Sequence, residues 1–158
     1  MKQNGCPVPK TTVSTTSSYR YTDNGDGTVT DNRTGLIWLK NTNCFGQQNW
    51  KKAMQSAAKL AQGQCGLRDG SRAGMWRLPT IKEWEAMMDT RYRKPALSNA
   101  AGTGQWKEGD AFSSVKYWYW SSTEHSTSSA WYVNLSVGSV SGNVKTSLNY
   151  VWAVRGGH

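Results

Sequence analysis

The stretch Gly74–Trp84 reads GMWRLPTIKEW and marks the start of a helix. Thr80 stands three residues before Glu83, which is the spacing of a capping box, where each side chain bonds the backbone N–H of the other residue. Trp84, Met87 and Met88 supply an apolar face for burial. We therefore expect a helix that begins after Thr80, with Glu83 in a structural rather than a catalytic role.

A longer amphipathic helix is predicted upstream, from Gln48 to Ala61. Apolar residues recur there at the spacing of one helix face, and the lysines fall on other faces. The recurring residues are Trp50, Ala53, Met54, Ala57, Ala58 and Ala61. Gly63 follows, as is typical of a helix end, and we interpret the tryptophan and methionine stripe as core packing.

The three cysteines, Cys6, Cys44 and Cys65, are an odd number. Cys44 and Cys65 flank the longer helix, so we predict an intradomain disulfide between them, worth about 3 kcal/mol for such a loop. Cys6 is left over, either paired between chains or free. A disulfide indicates an oxidising compartment and favours a secreted or cell-surface location. With no Cys-x-x-Cys and only two histidines, no metal site is predicted.

Strand and turn patterns precede the helices. Tyr19–Thr22 and Thr28–Asp31 flank the turn DNGDG at 23–27, and a turn at 32–35 leads into Leu36–Leu39. The acidic turn lacks the ligand spacing and closing glutamate of an EF-hand, so we interpret it as turn chemistry rather than a calcium site.

Aromatic strand patterns follow the helices, which indicates an α+β domain. The predicted strands are Tyr117–Ser122, Ala130–Leu135 and Tyr150–Arg155, and Ser136–Lys145 is a hairpin region with Gly138 and Gly142 as turn candidates. The chain has nine tryptophans and seven tyrosines. We interpret most of them as core, because these rings bury a large area while bonding through a polar tip; a sugar-stacking surface is the alternative.

The chain is strongly basic, with 19 Lys and Arg against 10 Asp and Glu and a formal net charge of +9. This excess favours polyanions such as nucleic acid, sulfated or carboxylated polysaccharide, or an anionic membrane surface. No helix-turn-helix, zinc finger or comparable module occurs, so specific nucleic-acid binding is not expected. No apolar run approaches the roughly 18 residues of a membrane span, so membrane insertion is not expected either.

A long loop is predicted over Asp89–Gly109, which shows no periodicity, and loops of this length are often functional. The cations of this loop and the lysine after it form the first predicted polyanion-binding patch: Arg91, Arg93, Lys94, Lys107 and Lys116. Arg68 and Arg72, which follow Cys65, form the second.

The domain boundaries follow from composition. Residues 1–18 contain two prolines and a run of threonine and serine, so we expect a flexible linker there. Residues 19–158 are expected to form one domain, since this length suits a single core. No signal peptide follows Met1, which we interpret as the start of a mature or excised segment.

Five motifs in a fixed order carry a resemblance to a known family. They are DNGDGTVTD at 23–31, TGLIW at 34–38, WRLPT at 76–80, YWSST at 119–123 and VRGG at 154–157. Their order resembles the C-terminal domain family of the Legionella collagen-like adhesin, over nearly all of the chain from Tyr19 to Gly157. Arg77 and Arg155 fall inside these motifs, and we interpret them as structural.

The resemblance implies a C-type-lectin-like fold, similar also to formylglycine-generating enzymes, with two helices packed on small twisted antiparallel sheets. In the collagen-like adhesin this domain follows a collagen stalk, is expected to form trimers and binds sulfated, glycosaminoglycan-like polysaccharides. Surface display and a homotrimer are therefore implied here. The Glu-Pro-Asn, Gln-Pro-Asp and Trp-Asn-Asp motifs of calcium-dependent lectins do not occur, so a calcium-bridged sugar site is not expected. The active-site cysteines of formylglycine-generating enzymes are not expected either, since Cys44 and Cys65 are assigned to a disulfide and Cys6 lies in the linker.

Three functions are therefore weighed. The first is adhesion to sulfated or acidic polysaccharide through a basic surface, with no cofactor. The second is a trimerising protein-interaction module at the tip of a stalk or fibre. The third is catalysis, which is not expected, because His125 is the only internal histidine and Glu83 and Glu85 face different directions on a helix.

Overall fold

Residues 19–156 are described by the structure, a computed structural model of the chain. They contain two helices, α1 (Trp50–Lys59) and α2 (Ile81–Met87). The strands are β1 (Tyr21–Asp23), β2 (Thr28–Asp31), β3 (Ile37–Leu39), β4 (Gln47–Gln48), β5 (Trp118–Glu124), β6 (Ser129–Asn134), β7 (Ser139–Val144), β8 (Asn149–Tyr150) and β9 (Val154–Arg155). The predicted linker at 1–18, with Cys6, lies outside the described residues.

The first sheet has the strand order β1-β2-β3-β9 and is antiparallel throughout. In the acidic turn between β1 and β2, Asp26 accepts hydrogen bonds from the N–H and the hydroxyl of Thr28, at 3.1 and 2.6 Å. Its carboxylate thus closes a local turn, as we expected for this segment. At the other edge, β9 pairs Val154 with Trp38 and brings the end of the chain back to its start.

The second sheet has the strand order β4-β8-β5-β6-β7. All its pairs are antiparallel except β5 with β8, which is parallel. The two small, mostly antiparallel sheets and two short helices confirm the predicted α+β class.

The predicted single strand Tyr150–Arg155 is wrong in one respect, because the chain changes sheets within it. Tyr150 ends β8 in the second sheet and Val154 begins β9 in the first. Trp152 lies between them, fully buried, and its indole N–H donates to the carbonyl of Leu39 at 2.8 Å. The aromatic pattern that suggested one strand therefore belongs to a core crossover between the two sheets.

Both predicted helices form, but the longer one runs from Trp50 to Lys59 rather than from Gln48 to Ala61, because Gln48 pairs in β4 and Leu60 ends the helix. The Asn49 side chain accepts a hydrogen bond from the N–H of Lys52 and begins α1. In α2 the Thr80 hydroxyl accepts from the N–H of Glu83 at 3.1 Å, and the Glu83 carboxylate accepts from the N–H of Thr80 at 2.9 Å. Arg77 also donates two bonds to Glu83, at 2.7 and 2.8 Å, which fits the structural roles predicted for both residues.

An aromatic cluster fills the space between the sheets. Trp84 of α2 packs against Trp38, Trp152 and Tyr119 with ring centroids 5.2 to 5.5 Å apart, and Phe112 packs against Trp152 at 4.9 Å. All five rings are fully buried. Most aromatic residues therefore form core, as expected from their number.

Cys44 and Cys65 form the predicted disulfide, with their Cα atoms 5.7 Å apart. The bond links the segment before α1 to the loop after it and so closes the longer helix into a covalent loop. Residues 71–76 return from this loop towards the core, where Trp76 is fully buried.

The two turn glycines predicted in the C-terminal hairpin have different fates. Gly138 lies between β6 and β7 with φ +78, a conformation that suits glycine, and is a turn residue as predicted. Gly142 is not, since it lies within β7 opposite Trp131. A Cβ at position 142 would lie 2.9 Å from Cγ of His125. Gly142 is therefore a packing residue, which leaves room for a ring.

Candidate functional site

Only some of the lysines and arginines in the described part of the chain form ion pairs with carboxylates. The pairs within residues 19–156 are Arg20–Asp31, Lys40–Asp23, Arg77–Glu83, Arg91–Asp89, Lys145–Glu124 and Arg155–Asp69. Two of these, Arg20–Asp31 and Arg155–Asp69, have a carboxylate that is almost fully buried. These two ion pairs therefore have a structural role and are not available to an external ligand.

The other lysines and arginines of the described part of the chain have no carboxylate within 4.0 Å. They are Arg33, Lys51, Lys52, Lys59, Arg68, Arg72, Lys82, Arg93, Lys94, Lys107 and Lys116. Six of the seven predicted polyanion-binding residues belong to this set. Their charges are thus open to an external anion.

Arg91 is the predicted patch member that does hold a carboxylate. Its guanidinium donates to Asp89 at 2.7 and 3.0 Å, and this side-chain bond, aided by the N–H of Arg91, lowers the pKa of Asp89. The Arg91 side chain is still 62% exposed. It fixes the start of the long loop, and its role in binding stays a prediction.

The long loop extends the second sheet beyond its last regular strands. The N–H of Lys94 donates to the carbonyl of Ser136 at 3.0 Å, and the N–H of Ala96 to that of Leu135 at 2.7 Å. On the other side, the N–H of Leu135 donates to the carbonyl of Tyr117 at 2.7 Å. The segment of Lys94 therefore lies beside the end of β6, and the segment of Lys116 lies next to that same end.

The second half of the long loop, at Gln105–Trp106, pairs with the first half at Leu97–Ser98. The N–H of Trp106 donates to the carbonyl of Leu97 at 3.0 Å, and Ser98 and Gln105 form an antiparallel bridge. Lys107 follows Trp106 directly. We call Arg93, Lys94, Lys107 and Lys116 the basic edge, since backbone hydrogen bonds connect the segments that carry them.

An exposed tryptophan adjoins the basic edge. Trp118 is 44% exposed, whereas its neighbours Tyr119 and Trp120 are fully buried. The Tyr117 ring packs edge-on against it, with centroids 5.9 Å apart. Trp118 is therefore one of the few aromatic residues that do not form core, and the predicted patch residue Lys116 lies two positions before it in the sequence.

Arg68 and Arg72, the second predicted patch, are not part of the basic edge. Arg68 lines an open cleft of about 390 Å³ beside the acidic turn, where its guanidinium donates to the carbonyl of Gly25 at 2.8 Å. Lys40 also lines this cleft and donates to Asp23 at 2.6 Å. Arg72 is exposed in the following loop and is not among the residues that line the cleft.

The electrostatics of the cleft are set by the Lys40–Asp23 pair. Burial opposes ionisation of Asp23, but hydrogen bonds from Lys40 and from the N–H of Gly25 outweigh it and lower the pKa of this carboxyl. Ser113 also lines the cleft, and the chain runs to it directly from Lys107. The cleft and the basic edge therefore share one connecting loop.

His125 is the remaining chemical candidate. Its Nδ1 lies 3.2 Å from the Ser129 hydroxyl, and Ser129 lies 2.7 Å from the Ser126 hydroxyl. The neighbouring carboxylate, Glu124, accepts instead from Lys145 at 2.5 Å. No carboxylate pairs with His125 within residues 19–156 to orient it as a general base. A noncatalytic role stays a prediction.

Two further findings concern the described residues alone. No group of three or more His, Cys, Asp or Glu side chains among residues 19–156 is arranged to hold a metal ion. None of the helices in that range is long and apolar enough to cross a membrane.

Two short helices on two small, mostly antiparallel sheets, with a disulfide between Cys44 and Cys65, define a small α+β domain. The family model of the Lcl C-terminal domain matches residues 27–155. The chain therefore belongs to the Lcl C-terminal domain family, as its motifs indicated. A comparison with curated proteins found no match.

Proposed function

We propose that this domain attaches a secreted or surface-displayed protein to sulfated, glycosaminoglycan-like polysaccharide, without calcium and without catalysis. The observation that carries the proposal is the basic edge. Four cations without a carboxylate partner in the described chain lie there on backbone segments joined by hydrogen bonds. Membership of an adhesin-related family supports the same interpretation.

The chemistry of sulfate suits these side chains. A sulfate group is a fixed anion that a guanidinium can bind through two parallel hydrogen bonds and that an ammonium binds as a point charge. The basic edge offers both, since it contains Arg93 and three lysines. Trp118 adds an exposed ring on which the apolar face of a sugar can rest.

Affinity is expected to come from many contacts rather than one. A single exposed ion pair contributes little in water, about 0–1 kcal/mol. A polysaccharide repeats its sulfate groups, so several cations of one domain, and several copies of the domain, can bind one chain. We therefore expect attachment to be multivalent, and a homotrimer would supply the copies.

The location outside the cytosol rests on the disulfide. Such bonds persist in oxidising compartments and are rare in the cytosol, and Cys44–Cys65 is formed here. A surface location would also place the basic edge where extracellular polysaccharide is met.

Binding to immobilised heparin over a series of salt concentrations tests this function. Counterion release predicts that affinity falls steeply as salt rises, as it does for proteins on nucleic acid. Chemically desulfated heparin should bind far more weakly than heparin at the same salt concentration. Affinity that barely changes with salt, or that survives desulfation, would contradict the proposal.

The second candidate function is assembly, as a trimerising protein-interaction module. It is favoured by β7, which is one of the two outer strands of the second sheet and carries no charged residue. Val144 and Leu148, at and just after its end, are 51% and 58% exposed. An outer strand of this kind can pair with another chain. Light scattering that shows a stable oligomer, together with no binding to any sulfated glycan, would favour assembly over adhesion.

A further inference from the structure

A second cleft lies on the face of the second sheet that α2 covers, apart from the basic edge. It has a volume of about 230 Å³ and is lined by Ile81, Lys82, Glu85, Trp131 and Val140. Its floor is apolar and comes from α2, β6 and β7. Its charged side chains both come from α2.

Trp131 is held in place by an unusual packing arrangement. Its partner across the β6–β7 ladder is Gly142, and the absence of a side chain there admits the ring of His125. The His125 ring packs edge-on against Trp131, with centroids 4.7 Å apart and planes at 69°. Ser129 in turn lies 3.2 Å from the His125 ring nitrogen. The indole is thus fixed before any ligand arrives, which lowers the entropy lost on binding.

Lys82 and Glu85 give this cleft opposite charges on one wall. They are three residues apart on α2 and so lie on the same side of the helix. Both are exposed, and neither takes part in an ion pair within residues 19–156. The ammonium offers hydrogen-bond donors and the carboxylate offers acceptors, so both remain available to a ligand.

We propose that this cleft binds a neutral sugar ring, as a site separate from the polyanion-binding basic edge. The C–H groups on one face of a pyranose carry partial positive charge and suit the electron-rich face of an indole. The hydroxyls at the rim both donate and accept, which matches Lys82 and Glu85 together. An anionic ligand would meet the Glu85 carboxylate, and a cationic one would meet the Lys82 ammonium. This site does not depend on the proposed adhesion to sulfated polymer.

NMR titration of the 15N-labelled full chain tests the proposal with three neutral probes: cellotriose, maltotriose and N,N′,N″-triacetylchitotriose. The signals to follow are the indole N–H of Trp131 and the backbone N–H groups of Lys82 and Glu85. At least one trisaccharide should shift all three signals by the same amount at low salt and at about 0.5 M salt, where exposed charges more than a few ångströms apart are screened.

Two sets of variants separate the cleft from the rest of the surface. The exposed pair change Lys82→Gln with Glu85→Gln leaves the core intact and should weaken binding at least several-fold. Trp131→Ala, which also removes the indole signal, should abolish the shifts of the Lys82 and Glu85 backbone N–H groups, whereas Trp118→Ala, which removes the exposed ring near the basic edge, should leave all three shifts unchanged. The proposal is overturned if none of the three trisaccharides shifts the signals, or if Trp118→Ala removes the effect. It is also overturned if the same signals respond only to a heparin fragment and only at low salt.

Discussion

Gly27 lies so close to Gly66 that a Cβ at position 27 would overlap the carbonyl oxygen of Gly66 and lie 2.9 Å from its carbonyl carbon. Gly27 belongs to the acidic turn, and Gly66 follows the disulfide cysteine Cys65. The N–H of Arg68 also donates to the carbonyl of Asp26 at 2.8 Å. The turn and the disulfide loop thus form one wall of the cleft that holds Arg68.

Gly27→Ala should therefore destabilise the domain strongly. Its φ of +91 is costly for alanine, and the new methyl group would meet backbone atoms that cannot move aside. We expect a loss of about 2–4 kcal/mol, measured by urea denaturation. Gly25→Ala is the matched control in the same turn, with φ +77 and no atom within 4 Å of the added Cβ. Equal losses for the two variants would contradict the close approach.

Removal of the disulfide should weaken the fold without changing it. Cys44 and Cys65 are 21 residues apart, and the chain-entropy model gives about 3 kcal/mol for a loop of that size. The double variant Cys44→Ala with Cys65→Ala should lower the urea midpoint by a corresponding amount. A reducing agent should do the same to the wild type and have no effect on the variant. A wild-type midpoint that is unchanged under reduction would contradict this role.

Acid should destabilise the domain through Glu83. Burial opposes ionisation of this carboxyl, but hydrogen bonds from Arg77 and from the N–H of Thr80 outweigh it and lower its pKa. A lowered folded-state pKa contributes stability that is present above the unfolded value of about 4.3 and is lost as pH falls through the folded value. Glu83→Gln should cost about 1–2 kcal/mol at neutral pH.

The pH dependence distinguishes this charge effect from a change in packing caused by the substitution. Below about pH 4 the stability difference between wild type and Glu83→Gln should shrink, because the wild-type carboxyl then takes up a proton. Denaturation curves recorded from neutral to acidic pH measure this difference. A constant difference across that range would assign the effect of the substitution to packing rather than charge.

Local features of the fold could be predicted from the sequence because they depend on neighbouring residues. The Thr80–Glu83 capping box, the acidic turn and the α1 stripe are settled within a few positions of the chain. The division of Tyr150–Arg155 between two sheets could not be predicted, because it depends on the burial of Trp152 against β3 and α2.

The candidate site shows the same limit. The presence of Lys94 and Lys107 in a long, exposed loop could be predicted, because the sequence around them shows no helix or strand periodicity. That their segments lie next to each other could not be predicted, because this depends on backbone hydrogen bonds to Leu135, Ser136 and Leu97, which no local pattern indicates. The separate place of Arg68 likewise follows from its bond to Gly25, far away in the sequence.

The central claim is that polyanions bind the basic edge rather than the positive charge of the domain as a whole. Its most direct test compares two triple variants that lose the same charge. One neutralises the basic edge (Lys94→Gln, Lys107→Gln and Lys116→Gln), and the other neutralises α1 and its end (Lys51→Gln, Lys52→Gln and Lys59→Gln). Both sets lack a carboxylate partner in the described residues, so neither substitution breaks an ion pair.

The measurement is the slope of the logarithm of heparin affinity against the logarithm of salt concentration. Each cation that contacts the polymer contributes close to one unit of slope, about 0.7–0.9 for nucleic acids. We predict that the basic-edge variant loses about tenfold or more in affinity and roughly two units of slope, while the α1 variant stays near the wild type. Equal losses in the two variants would show that net charge alone drives binding and would contradict the account.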